Sequence, residues 1–189
     1  MKKTLSYVGK KIAHAWSLDT RSLSLFRIGL ALVVIVDLCL RSRFLIEHYT
    51  DMGIFPRDAW LDIADGKSVL SLHIINGQPW FQILLFLIHG FFALCMLVGY
   101  RTWIATIVIW ILTVSLQNRL MIINSGADDL LRVVLFWSMF LQLDRHWSWE
   151  SDRYRASLHP HMKRIMGTGA VAFIAQQLLL YWVTAYLKL

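Results

Sequence analysis

Ser115 to Asp152 reads SLQNRLMIINSGADDLLRVVLFWSMFLQLDRHWSWESD. A polar turn runs through Gln117, Asn118, Arg119 and Asn124-Ser125-Gly126. Asp128, Asp129 and Arg132 then fall in the first turn of a predicted helix, and an apolar run continues to Leu143. The exit is aromatic and basic, with Arg145, Trp147 and Trp149. Charged turn, apolar run and interfacial tryptophans in that order describe a helix crossing a bilayer.

The composition extends this reading to the whole chain. Of its 189 residues 57% are hydrophobic and 16% charged, and the mean hydropathy is +0.53, too apolar for a soluble globular domain of this size. The formal charge of +7 raises nucleic acid as a partner. The basic residues, however, sit in short clusters between apolar runs and form no stripe interleaved with stacking aromatics, which excludes that class. Cys39 and Cys95 lie inside apolar runs and act as small hydrophobes, so neither a disulfide framework nor a cysteine metal site is expected. The N-terminal lysines resemble the start of a signal peptide, but the first apolar run begins near Ser22 and ends at Leu40 without a small-residue cleavage site.

Five spans follow from the apolar runs: Ser22 to Leu40, Trp80 to Val98, Thr102 to Leu116, Asp128 to Leu143, and Gly167 to Leu187. Each approaches the ~20 residues that a hydrocarbon core requires. The expected fold is therefore all-α, a polytopic transmembrane bundle forming one domain over 1–189 with a basic flank at 1–21. Lys2 to Thr20 fits either an amphipathic segment on the inner surface or a solvated tail, and both readings stand. Arg41 to Pro79 is the long loop; Gly53 and Pro56 break it, and its apolar Ile54, Phe55, Trp60 and Leu61 make it a candidate lid. With the N-terminus inside, inner segments carry eleven Lys and Arg against six outside. The positive-inside rule thus predicts a cytoplasmic N-terminus and an external C-terminus.

An ionisable group in a span is costly, so each one marks a candidate site. This topology places Asp37, Asn118, Arg119, Asn124, Asp128, Asp129, Arg132 and Lys188 at one outer level. Structural roles compete: Asp129 with Arg132 (i,i+3) and Asp37 with Arg41 (i,i+4) are spaced to pair, and Lys188 is placed to snorkel. His89 is expected to be neutral and bonded to a neighbouring helix, Gln176 and Gln177 to join helices, and Arg27 to reach lipid phosphates. His159-Pro160-His161 lacks the company of a metal site, and no metal ligand set is expected. No Walker, GxGxxG, HExxH or GxSxG pattern occurs.

SLSLFRIGLALVVIVD (22–37), HYTDMGIFPRDAW (48–60), SLHIINGQPWFQILLF (71–86), LVGYRT (97–102), SLQNR (115–119), NSGADDLLRVVLFW (124–137) and DRHWSWESD (144–152) resemble successive motifs of the bacterial branch of the HTTM (horizontally transferred transmembrane domain) family. These are relatives of the membrane part of vitamin K-dependent gamma-carboxylase. The resemblance implies an external pocket for a reduced quinone and a lysine base at the end of a late helix. LLYWVTAYLKL (179–189) is similar to that helix and puts Lys188 on the lysine. Asn124, Asp129 and Arg132 are then its companions. The carboxylase pattern has Asn-Asn-His where this chain has Asn124 to Asp129, so the assisting histidine is not matched. The family domain also continues beyond the lysine, so the chain is expected to be the N-terminal part of that domain, either a split or truncated member or one whose pocket is completed by a second membrane chain.

The implied function is that of an inner-membrane HTTM-type protein with quinone-linked, carboxylase-like chemistry. The alternative is a non-enzymatic interaction or immunity-type subunit that pairs with another membrane chain in the lipid bilayer. A solute transporter is disfavoured, because the spans are not interrupted by Gly and Pro.

Overall fold

In the computed structural model, residues 16–63, 71–120, 123–150, 164–165 and 167–188 are described. The basic stretch before residue 16, Lys67, the His159-Pro160-His161 run and Lys163 lie outside them. The fold is mostly helical. A two-residue strand β1 (Leu18–Asp19) leads into α1 (Thr20–Ser42), and the long loop folds into two short helices, α2 (Leu45–Tyr49) and α3 (Arg57–Ile63), and a 3-10 turn at Leu72–Ile74. Three further helices follow, α4 (Pro79–Val98), α5 (Thr102–Arg119) and α6 (Gly126–Ser138). Strand β2 (Arg164–Ile165) then precedes α7 (Thr168–Tyr186). In the contact order α1 packs on α4, α4 on α5, α5 on α6 and α6 on α7.

Local chemistry explains the boundaries. The Asp19 carboxylate accepts from Arg21 N at 2.8 Å and caps α1, satisfying one of the donors a helix start leaves free. Pro79 opens α4, where its missing N–H costs nothing. Gly99 closes α4 at φ 82°, and Arg101, at φ 43°, turns the chain straight into α5. Asp128 accepts from Ser125 N (2.8 Å) and Oγ (3.0 Å) and anchors the start of α6. Strand β1 pairs antiparallel with β2, Leu18 opposite Ile165, which brings the starts of α1 and α7 to the same end of the bundle.

The core is built where helices approach closely. Ala31, Ala93 and Ala105 are almost completely buried, beside Val34, Met96, Ile109 and Leu135. Small residues allow such approach, and in lipid packing of this kind replaces a hydrophobic driving force between helices. The outer faces are apolar as well: Leu25, Leu32, Val33 and Val36 on α1 and Leu84, Leu87, Phe91 and Leu94 on α4 are exposed. Such surfaces are compatible with contact to a bilayer.

Among the described residues three helices are long and apolar enough to cross a membrane: α1, α4 and α7. Two of the five expected spans differ. α5 is helical through Arg119, three residues beyond the expected Leu116, and it buries Thr102, Thr106, Thr113, Ser115, Gln117 and Arg119. That polar content reduces its hydropathy. The span expected over Asp128 to Leu143 is helical only to Ser138. Short backbone bonds, Phe140 N to Trp137 O at 3.1 Å and Leu141 N to Ser138 O at 3.2 Å, tighten the chain there into turns. At 13 residues α6 is about 20 Å long, short of a ~30 Å hydrocarbon core.

Arg27 corrects a further expectation. It does not extend to lipid; it is fully buried, and its Nη1 and Nη2 donate to the carbonyls of Leu143 (3.2 Å) and Trp147 (2.6 Å). The guanidinium thus satisfies the irregular backbone that follows α6. Gly99 makes room for it: a Cβ there would collide with Arg27 Nη1 and with Ser148. We expect Gly99→Ala to lower unfolding stability in detergent by at least ~1 kcal/mol from the left-handed backbone alone. Gly90→Ala, whose added methyl meets nothing within 4 Å, leaves stability unchanged or raised. Equal stability of the two variants in a denaturant titration would refute this account.

Candidate functional site

The end of the bundle opposite Arg27 carries a polar network. Asp37 and Arg41 lie one turn apart on α1, and Arg41 Nε reaches both Asp37 oxygens at 2.9 Å. Its Nη2 donates to Asp128 Oδ1 at 2.5 Å and its Nη1 to Tyr49 Oη at 3.4 Å. One guanidinium therefore joins α1, α2 and the start of α6. Because Arg41 meets α6 at Asp128 while Arg27 meets the chain beyond it at 143 and 147, α6 runs antiparallel to α1.

Gln117, fully buried near the end of α5, is the second junction. Its Nε2 donates to Asp128 O at 3.1 Å and its Oε1 accepts from Arg132 Nε at 2.9 Å. Its backbone carbonyl accepts from Asn124 Nδ2 at 3.0 Å. Arg132 Nη2 also donates to Asn118 Oδ1 at 3.3 Å. Each of these polar groups is bonded inside a low-polarity bundle, as buried polar groups must be. Asn124 Oδ1 is the exception, buried without a partner.

Residues 41–63 and 71–79 cover this end. Trp60 Nε1 donates to Asn118 O at 3.0 Å, Ser71 Oγ to Ser115 O at 2.7 Å, and Ser115 Oγ accepts from Leu72 N at 2.6 Å. His73 Nδ1 lies 2.6 Å from Gln82 Oε1, while Gln82 Nε2 donates to the carbonyls of His73 and Asn76. With the amide oxygen as acceptor, Nδ1 is the protonated ring nitrogen. Tyr49, His73 and Phe86 pack as an aromatic trio, with ring centroids 5.4 to 5.9 Å apart. The expected lid is thus a bonded roof. Below it, His89 Nε2 lies 3.3 Å from Thr113 Oγ1, the interhelical bond expected of it.

The four residues expected to form the site separate into two groups. Asn124 and Arg132 converge on Gln117. Asp129 points outward, exposed, and Arg132 bonds the α5 amides instead of pairing with it; the i,i+3 pairing is corrected in favour of the acceptors offered by the neighbouring helix. Lys188 is exposed at the end of α7, and among the described residues no hydrogen bond or ion pair links its ammonium to Asn124 or Arg132. Gln176 and Gln177 likewise show no interhelical hydrogen bond among the described residues. The residues that organise the network are Arg41, Asp128 and Gln117. Of these only Asp128 is among the outer-level candidates that the sequence suggests; for Arg41 the available signal is its i,i+4 spacing from Asp37.

Between α1 and α4 runs an apolar groove of about 520 Å³, lined by Ile35, Leu38, Cys39, Phe86, Leu87 and Phe91 among others, and reaching Ser42 and Leu45. It suits an acyl or isoprenoid tail. For the head of a reduced quinone, Asn124 Oδ1 has the chemistry to accept from a hydroxyl. Among the described residues no hydrogen bond joins Lys188 to that atom, so no reaction step is derived through such a group.

The roof is pH-sensitive. Burial pushes the His73 imidazole down to about 4; the bond to Gln82 opposes this and the field of Arg119 adds to it. The unfolded chain protonates this residue near 6.5, so between those values the unfolded state binds more protons. The neutral histidine's stabilisation is complete above pH 6.5 and is lost progressively as the pH falls toward 4. We expect unfolding free energy to drop by about 2 kcal/mol between pH 7 and pH 5, and His73→Gln to flatten that part of the profile. An identical profile in the variant would assign the pH dependence elsewhere.

No protein-family model, curated protein or solved structure matches the chain.

Proposed function

We propose that this chain is a bacterial multi-pass protein of the inner membrane, of the HTTM type, with five crossings, an internal N-terminus and an external C-terminus. In this reading the polar network at the outer end receives the head of an amphiphile of the reduced-quinone class, and the α1–α4 groove receives its tail. Asn124 and Arg132 orient the head and Lys188 is the candidate base. The observation that carries the reading is the convergence of charged and amide side chains from α1, α5 and α6 at one end of an apolar bundle whose α1–α4 face carries an apolar groove.

A second reading rests on a different observation. Only 6% of the most apolar stretch of α7 is buried, with Tyr181, Trp182, Tyr186 and Leu187 exposed. A helix so uncovered suits a non-enzymatic subunit that pairs with another membrane chain, and such a chain also supplies what the site lacks around Lys188.

The topology has its own test. Reporter fusions at Lys163 and Leu189 should report opposite sides, with Lys163 cytoplasmic; the same side for both defeats the five-span arrangement. For the site, a short-chain hydroquinone should bind the purified protein saturably, with affinity reduced at least about tenfold in Arg132→Leu. Lys188→Met should abolish quinone-dependent product formation while leaving that binding in place. No saturable binding to the unaltered protein removes the quinone reading; binding with turnover that persists in Lys188→Met removes the base.

A further inference from the structure

Arg119 closes α5 and no part of it is accessible to solvent. Its Nη2 donates to Phe55 O at 2.8 Å, and its guanidinium carbon stands 5.9 Å from the centroid of the Phe55 ring. Nε and Nη1 have no hydrogen-bond partner. The other two interior arginines of the bundle are better supplied, Arg41 by two carboxylates and Arg27 by two carbonyls. A buried guanidinium left with unmatched donors is among the costliest arrangements a fold can contain.

Helix capping does not account for it. The last carbonyls of α5 are occupied: Ser115 O by Ser71 Oγ, Gln117 O by Asn124 Nδ2 and Asn118 O by Trp60 Nε1. Nor, among the described residues, does a carboxylate. Asp51 lies within the electrostatic reach of Arg119, but its oxygens are engaged by Arg57, whose Nε donates at 2.7 Å and whose backbone N donates at 3.2 Å. Arg119, Arg57 and Asp51 together leave one positive charge unmatched under the roof.

We propose that Arg119 anchors a binding site for a singly charged carboxylate beneath the 50–56 loop. One charge is the number the cluster leaves over, and because Nη2 carries two N–H groups and gives one to Phe55 O, one edge of the guanidinium, Nη2 with Nε or Nη2 with Nη1, is left to take the two oxygens of a carboxylate. The surroundings favour an apolar body behind that group, because Phe55 packs with Tyr49, Leu116 and Leu120. The loop supplies the entrance. It turns at Gly53, where a Cβ would meet the Glu47 and Ile46 carbonyls, and it presents Met52 and Ile54 at 82% and 78% exposure. Displacing Phe55 opens Arg119 to the outside. Neither Lys188 nor Arg132 takes part, so the site stands apart from the quinone reading.

The test is thermal unfolding of the detergent-purified full chain titrated with sodium butyrate, sodium phosphate or sodium chloride at equal ionic strength. Butyrate should raise the midpoint saturably, with a dissociation constant on the order of 1 mM, and chloride should not. Arg119→Gln should weaken butyrate at least about tenfold. Asp51→Asn keeps the side-chain shape and removes the competing negative charge; it should tighten butyrate about threefold or more, which tests the site even where Arg119→Gln does not fold. A flat butyrate titration of the unaltered protein, a response equal to that of chloride, or an unchanged response in Asp51→Asn overturns the proposal. A phosphate response stronger than that of butyrate overturns the assignment to a singly charged carboxylate.

Discussion

Arg41 is the constraint on which the half of the bundle opposite Arg27 depends. Apolar helices in lipid gain little by exchanging lipid contacts for one another, so their faces alone do not dictate which pairs meet. A guanidinium with fixed donor directions does. By holding Asp37 on its own helix, Asp128 at the start of α6 and Tyr49 in the roof, Arg41 specifies the rotation of α1, the entry point of α6 and the height of the roof together. Gln117 continues the specification across α5. Removing one partner of such a buried pair leaves an uncompensated charge, which penalises alternative arrangements more than it rewards the native one.

The sequence shows the helices more clearly than their lengths. α1, α4 and α7 are legible because apolarity sustained over about 20 residues matches the thickness of a bilayer core and little else. α5 is legible as a helix, but its buried Thr113, Ser115 and Gln117 read as loss of apolarity, since nothing local says that their partners lie on α4, the roof and α6. The end of α6 at Ser138 is invisible in a run as apolar as LFWSMFLQL. Continuing the helix is the reasonable expectation unless one knows that Arg27, far upstream, waits to satisfy the carbonyls of an irregular segment.

The candidate site shows the same division. Short-range spacing correctly pairs Asp37 with Arg41, but the same logic pairs Asp129 with Arg132, and there the amides of α5 are nearer competitors for the guanidinium. The long loop is the largest surprise. Its Gly53 and Pro56 signal irregular backbone, yet Ser71 and Trp60 fasten it to α5 through bonds between residues far apart in sequence, and His73 fastens it to Gln82 of α4. A loop tied down in this way defines the shape of the site below it.

Arg27 has a consequence for the order in which the chain is assembled. Its two acceptors follow it by 116 and 120 residues, and at about 5–20 residues per second of synthesis the cation waits roughly 6 to 24 seconds for them. During that interval the Arg27 guanidinium has neither of its carbonyl acceptors, so the buried position it takes in the finished fold is not yet favourable. The place of α1 in the bundle is therefore completed by residues made long after it.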